Sequence, residues 1–267
     1  MSSSKKNPAS PTAASIARRF GNKAREYERH ALLQRETAET LADFAAPEGT
    51  LPGTGPVVEV GCGTGLFTSL VAKPGRPYLA TDIAPEMVTA CQARFAKSKH
   101  MHFAIADGQE LELATSPHAL ACTTIVSNLV FQWFANPPAG IVRLSQQASH
   151  MAFAILVAGS FPEWHAAFAN LGRISGLITL PEADSILEAL HASGTARIRQ
   201  QVLTHTIRYE NARAFVESFR GIGADHPRPG YRPTPIKAVL KQFEEGITST
   251  ARVLYCLVDR ANKETKE

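Results

Sequence analysis

The chain has 267 residues, 44% of them hydrophobic and 19% charged, with a formal net charge of +4. That is the composition of a soluble globular protein; no segment is apolar enough to span a membrane, and no Lys/Arg stripe interleaved with aromatics marks a nucleic-acid surface. Four cysteines (Cys62, Cys91, Cys122, Cys256) are widely spaced without a CxxC pair, which fits buried thiols in a reducing compartment; with no visible signal peptide, the expected location is cytoplasmic.

Residues 1–14, rich in Ser, Pro, Lys and Ala, read as a disordered tail. From Ser15 to about Ala45, apolar Ile16, Phe20, Ala24, Tyr27, Ala31 and Ala38 recur at three- and four-residue spacing. Gly21-Asn22 interrupts them, so two helices are expected. Pro47 to Pro56 is a Pro/Gly-rich loop. Strand and helix patterns then alternate. Strands are expected at Val57–Val60, Tyr78–Thr81, His102–Ala106, Ala121–Val126 and Met151–Val157. Helices are expected at Leu66–Ala72, from Pro85, and at Ile141–Gln147. This alternation predicts an α/β fold, a parallel sheet with helices on both faces. Beyond Val157 come helices at Pro162–Ala169, Pro181–Leu190, Asn211–Phe219 and Thr234–Glu244, a long strand at Ala196–Tyr209 and a last strand at Arg252–Val258. The Tyr209–Gly246 segment, with the N-terminal helices, is expected to cap a pocket.

In such a sheet ligands bind beyond the carboxyl ends of the strands, where strand order reverses. The first strand runs into Glu59-Val60-Gly61-Cys62-Gly63-Thr64-Gly65. These glycines permit a tight turn and close approach of a ligand to the backbone. The second strand ends in Asp82, ~20 residues on, placed for the hydroxyls of a ribose. The third ends in Asp107-Gly108, placed for the amino group of an adenine. Both aspartates are equally capable of helix N-capping. The G-x-G-x-G spacing lacks the third glycine of a dinucleotide site, and the Glu59 carboxylate would repel a pyrophosphate but suit a cationic ligand. The fourth strand leads into Ser127–Phe134, whose aromatics serve either as acceptor wall or as core. No histidine has a metal-ligand spacing partner, and no metal is expected.

An acidic residue before G-x-G-x-G, followed by acidic ends on the second and third strands, resembles the class I S-adenosylmethionine-dependent methyltransferases. That resemblance implies a Rossmann-like, seven-stranded, mostly parallel sheet with an antiparallel last strand, N-terminal helices and a helical cap. It implies S-adenosyl-L-methionine as cofactor, bound by Glu59, Gly61, Gly63, Gly65, Asp82, Ile83, Asp107, Gly108 and Asn128. The corresponding division is one methyltransferase domain over residues 15–258, with lid helices at 15–46, the cap at 209–246 and a tail from 259 to 267.

A narrower likeness rests on Phe20-Gly21, Tyr27-Glu28, Leu33-Gln34-Arg35, Ser127-Asn128-Leu129, Gln132-Trp133, Gly159–Glu163 and Phe219–Ala224. These resemble the malonyl-acyl-carrier-protein methyltransferases of biotin synthesis. The implied reaction is O-methylation of the free carboxylate of a malonyl thioester, on malonyl-acyl-carrier protein or malonyl-coenzyme A. A carboxylate near pKa 4 is ionised at pH 7 and needs no base, which accords with the lack of an assignable catalytic set. Tyr27 resembles the family's lid tyrosine. Arg143 is the first choice to anchor the malonyl carboxylate and Arg220 its rival; either is equally well a surface residue. Arg220, Arg228, Arg232, Lys237 and Lys241 would guide an acidic carrier. Gln147–His150 and Ala121-Cys122 depart from the family pattern. The remaining alternatives are a methyltransferase of another small carboxylic acid or of a quinone, and a cofactor-binding assembly factor that transfers no methyl.

Overall fold

The computed structural model describes residues 12–113, 123–194, 197–225, 227–228, 231, 236–243 and 245–260. The expected tail over residues 1–11, the residues after 260, Cys122, Arg232 and the expected strand start at Ala121 lie outside the described residues.

The strands are β1 (Val57–Val60), β2 (Tyr78–Asp82), β3 (Met101–Ile105), β4 (Thr124–Asn128), β5 (His150–Leu156), β6 (Arg197–Tyr209) and β7 (Ile247–Asp259). They form one seven-stranded sheet in the order β3-β2-β1-β4-β5-β7-β6. β1 to β5 pair in parallel, and β7 runs antiparallel between β5 and β6. All of β1 is buried, because both faces of a parallel sheet are covered. Val57 faces one core layer with Leu41, Val71, Cys91 and Tyr255. Val58 and Val60 face the other, with Ile141, Leu144, Ile186 and Leu190, as the two-residue period of a strand requires. A third apolar cluster joins Trp164 and Phe168 to Phe215 and Val239 of the segment read as a cap.

The N-terminal region forms three helices where two were expected: α1 (Ala13–Gly21), α2 (Tyr27–His30) and α3 (Leu32–Ala45). Thr12 caps α1 by accepting the Ser15 amide, so helix starts within the segment read as tail. The expected break after Gly21 is present; a second falls at Ala31, which leaves helical backbone angles and is fully buried. The helix behind the glycine loop is short, α4 (Thr68–Val71), because Gly65–Phe67 complete the turn first. α5 (Pro85–Arg94) opens on proline as predicted. The remaining helices are α6 (Pro137–Ser145), α7 (Pro162–Ala169), α8 (Ala183–Ala192), α9 (Ala212–Gly221) and α10 (Ile236–Leu240). β7 begins five residues before its expected start: polar Thr248 and Thr250 hide it from a hydrophobicity reading, yet they pair with Arg208 and Thr206 of β6.

Candidate active site

The order reverses between β1 and β4, and two cavities open beyond the carboxyl ends of these strands. The smaller, of about 90 Å³, is bordered by Gly61, Gly63, Asp82, Ile83, Asp107, Gly108 and Asn128, all expected there from the sequence. Ile16, Phe20 and Tyr27 of the N-terminal helices cover it. The amides of Gly61 and Cys62 both donate to the Thr81 carbonyl at 2.8 Å, which folds the loop back over β2. Gly61 has φ +76°, and a Cβ there would lie 2.2 Å from Val130 Cγ2. The Asp82 carboxylate accepts the amides of Gly63 and Ala84, each at 2.9 Å. Burial pushes its pKa up, while those amides and that of Ile83 oppose the shift. Asp107 Oδ1 accepts the Gln109 amide at 2.9 Å.

Asn128 Nδ2 donates to the Gln34 carbonyl at 3.0 Å, but its Oδ1 is buried without a partner. An orphaned acceptor in a cavity wall calls for a donor on a ligand. Around this cavity stand two carboxylates and that amide oxygen and, among the described residues, no Lys, Arg or His. The set is acceptor-rich. It fits a ligand presenting ribose hydroxyls, an adenine amino group and an ammonium, as S-adenosylmethionine does, and it disfavours a pyrophosphate.

Two residues assigned to the cofactor from the sequence stand elsewhere. Glu59 has the strand parity of Val57 and points to the α4 side of the sheet. Its Oε2 accepts the hydroxyls of Thr68 at 2.6 Å and Tyr78 at 2.8 Å, and it does not border the cavity. Burial, chiefly, raises its pKa to about 7 against those two donors, and Asp82 adds to the rise. The argument that Glu59 faces a cationic ligand is therefore overturned. Gly65 also lies behind the loop, packed against Phe95 and Cys91.

The larger cavity, of about 340 Å³, adjoins the first; Phe20, Tyr27, Leu129 and Trp133 border both. The Tyr27 phenol thus stands between them. Burial first, then Asp82 and Glu28, raises its pKa and keeps the hydroxyl protonated. The aromatic run divides: Trp133 faces the cavities, whereas Phe131 is core. Cap residues Phe219, Ile222 and Ala224 border the larger cavity, as expected, but so do Ile174–Leu180 and α7, which the sequence reading left out of the cap.

Arg143 is not in this cavity. Its guanidinium donates to the Gly108 carbonyl at 2.8 Å and the Leu111 carbonyl at 2.7 Å, and pairs with Glu112. It is a brace for the loop after β3, which corrects its assignment as the carboxylate anchor. Arg220, its rival, also lies outside the cavity wall. Arg228 is in it, with a buried Nε that has no partner and no ion pair to a described residue. The sequence placed Arg228 only among the docking cations; the Pro/Gly-rich segment around it carries no period that fixes where its side chain goes. Gln132 Oε1 is a second buried, unpartnered atom of this wall, and Ser175 Oγ lies 2.8 Å from His165 Nδ1, whose pKa burial lowers.

A family profile described as a methyltransferase domain matches residues 58–148. The magnesium protoporphyrin IX methyltransferase of Synechocystis, solved with bound SAH, superposes with a TM-score of 0.57 at 14% identity over 93% of this chain and 99% of that one. The [4+2]-cyclase SpnF does so with a TM-score of 0.57 at 14% identity over 96% and 100%. At this identity the likeness speaks for the fold alone. The malonyl-[acyl-carrier protein] O-methyltransferase of a Paenibacillus species is 30% identical over 86% of this chain and 90% of its own length. That of Magnetococcus marinus is 28% identical over 92% of both. The biotin biosynthesis bifunctional protein BioCD of Bordetella avium is 35% identical over 90% of this chain, which spans about half (51%) of that protein's length.

Sheet order, loop and acceptor-rich cavity together define a class I S-adenosylmethionine-dependent methyltransferase. Within that class the chain belongs to the malonyl-[acyl-carrier protein] O-methyltransferase family.

Proposed function

We propose that this enzyme methylates the free carboxylate of a malonyl group held as a thioester on acyl-carrier protein, an early step of biotin synthesis. The observation that carries the reading is Arg228. Among the described residues it is the arginine in the wall of a cavity that shares Tyr27 with the cofactor cavity, and its Nε is buried without a partner. A guanidinium pairs with a carboxylate through parallel N–H donors.

S-adenosylmethionine supplies an activated methyl on a sulfonium. Asp82, Asp107 and Asn128 hold the cofactor by accepting its hydroxyl and amino hydrogens. Arg228 binds and orients the malonate, and Gln132 Oε1 is available to a donor on the acceptor or its bound water. Phe20, Leu129 and Trp133 exclude water where the cavities meet. No base is required, since the carboxylate arrives ionised; alignment and desolvation of the reacting groups supply the rate. Tyr27, protonated, offers a hydroxyl donor at the junction.

Arg220, Lys237 and Lys241 are exposed on the cap and serve the carrier protein in this reading, with coenzyme A as the weaker substrate. Arg228 is withdrawn from that docking set by its place in the cavity. The described residues contain no helix long and apolar enough to cross a membrane, and the reaction is assigned to the cytoplasm with its substrates.

The test is complementation of a biotin auxotroph blocked at malonyl methylation. Growth without biotin is expected with the wild-type chain, and loss of growth with Arg228→Ala. Failure of well-expressed wild-type protein to support growth would overturn the reading.

A further inference from the structure

The residue next to Tyr27 makes contacts that methyl transfer does not explain. Glu28 Oε1 accepts the Thr64 hydroxyl at 2.9 Å, and Thr64 belongs to the glycine loop. Arg94, at the end of α5, lies 3.1 Å from Glu28 Oε1 through Nη1 and 3.3 Å from Oε2 through Nη2. Its Nη1 also donates to the Thr64 carbonyl at 3.0 Å. One carboxylate on α2 is therefore held by both the glycine loop and the end of α5. Other attachments of the N-terminal helices lead to Glu86 of α5, to Asn128 at the end of β4 and Trp133 beyond it, and to the cap. Arg19 pairs with Asp225 at 2.7 Å, and His30 packs so close to α9 that a Cβ at Gly221 would lie 2.2 Å from its ring.

The smaller cavity lies beneath Ile16, Phe20 and Tyr27, so lifting these helices widens the path of a nucleoside into or out of it. The larger is bordered by Ile174, which is 66% exposed, and also by Phe20, Tyr27, His30 and Gln34 of the same helices. Lifting the helices must break the Glu28 contacts.

We propose that Glu28 is a positioning residue that latches the N-terminal helices, and Tyr27 with them, to the cofactor loop and so gates cofactor exchange. In its functional half this rests on the methyl-transfer reading. The latch itself does not. It is partly exposed, so its strength is that of a surface network and it opens readily. Release of the spent cofactor then depends on how often it opens, a common limit on turnover.

The experiment compares wild type with Glu28→Ala, with Thr64→Val as a second variant that removes only the hydroxyl. The first readout is trypsin cleavage after Lys23, Arg25 and Arg29 in ligand-free protein. Cleavage is expected to be about five-fold faster in Glu28→Ala and about two-fold faster in Thr64→Val, in proportion to the open population. The second readout is kinetic. KM for S-adenosylmethionine should rise by a similar factor, and by more than KM for the malonyl thioester. The paired reversal Glu28→Arg with Arg94→Glu should bring cleavage back toward wild type. Equal cleavage rates in wild type and both variants, or a rise in the acceptor KM alone, overturn the latch. Glu28-dependent cleavage in a protein that does not methylate malonyl thioesters would retain the latch and overturn the function.

Discussion

The amide of Gly63 donates to Asp82 Oδ2 at 2.9 Å, and this bond shapes the cofactor loop before any ligand arrives. The other oxygen is engaged equally firmly by Ala84, so the carboxylate spans the ends of β1 and β2. Each oxygen keeps a second lone pair for a ligand hydroxyl. Asp82→Asn replaces one acceptor with a donor facing a backbone N–H. A charge-assisted bond contributes about 1.5–3 kcal/mol, so cofactor affinity should fall by at least about ten-fold in a calorimetric titration. Unchanged affinity would remove Asp82 from the binding set.

Arg143 and Arg228 make a contrasting pair. Arg143 braces the Gly108 and Leu111 carbonyls, and Gly108 borders the cofactor cavity. Arg143→Ala should lower Tm by about 3–6 °C and weaken cofactor binding, with the acceptor KM unmoved. Arg228→Lys keeps the charge but loses the planar donor fork. It should raise the malonyl-thioester KM about ten-fold or more, with cofactor affinity unmoved. Steady-state kinetics with each substrate varied in turn check both. The reverse pattern would restore the anchoring role to Arg143.

Strand ends were legible in the sequence because short, largely apolar runs stop at glycine or aspartate, and that marked Gly61, Gly63, Asp82 and Asp107. Glu59 misled because it precedes the glycines in the chain, while strand parity sends its side chain to Thr68 and Tyr78 on the far side. Parity follows from Val57–Val60 being a strand, so this error was avoidable. Arg228 was not legible: it follows Pro227 and precedes Pro229 in a segment without periodicity, and only tertiary packing turns it inward. The latch is of the same kind, since Glu28, Thr64 and Arg94 are brought together from three separate elements.

Gly61 differs from Gly63 in what surrounds it. A Cβ on Gly63 meets nothing within 4 Å, whereas one on Gly61 runs into the Val130 side chain. Both have positive φ, which costs an L-residue about 1–2 kcal/mol. Gly61→Ala adds an overpacking cost of about 1–3 kcal/mol, so it should destabilise the fold more than Gly63→Ala does in urea unfolding. Val130→Ala should recover part of the Gly61→Ala loss, and a double-mutant cycle measures the coupling. Simple additivity would show that the clash with Val130 is not the cause.

Glu59 gives the fold a pH dependence of known sign. Its pKa is about 7 in the fold against an ordinary 4.5, so the folded protein favours the protonated acid. That contribution is complete below about 4.5 and is lost as pH rises through about 7. Its full size is on the order of 3 kcal/mol, from the difference between the two values. Glu59→Gln keeps an oxygen to accept from Thr68 and Tyr78 but does not titrate. Relative to wild type, the variant should gain Tm steadily between pH 5 and pH 8, by about 5 °C or more in total, as thermal unfolding across that range would read. Comparing the two proteins at each pH cancels the titration of every group that does not interact with Glu59. A constant difference from pH 5 to pH 8 would mean that Glu59 remains ionised in the fold, held by its two hydroxyl donors against the cost of burial.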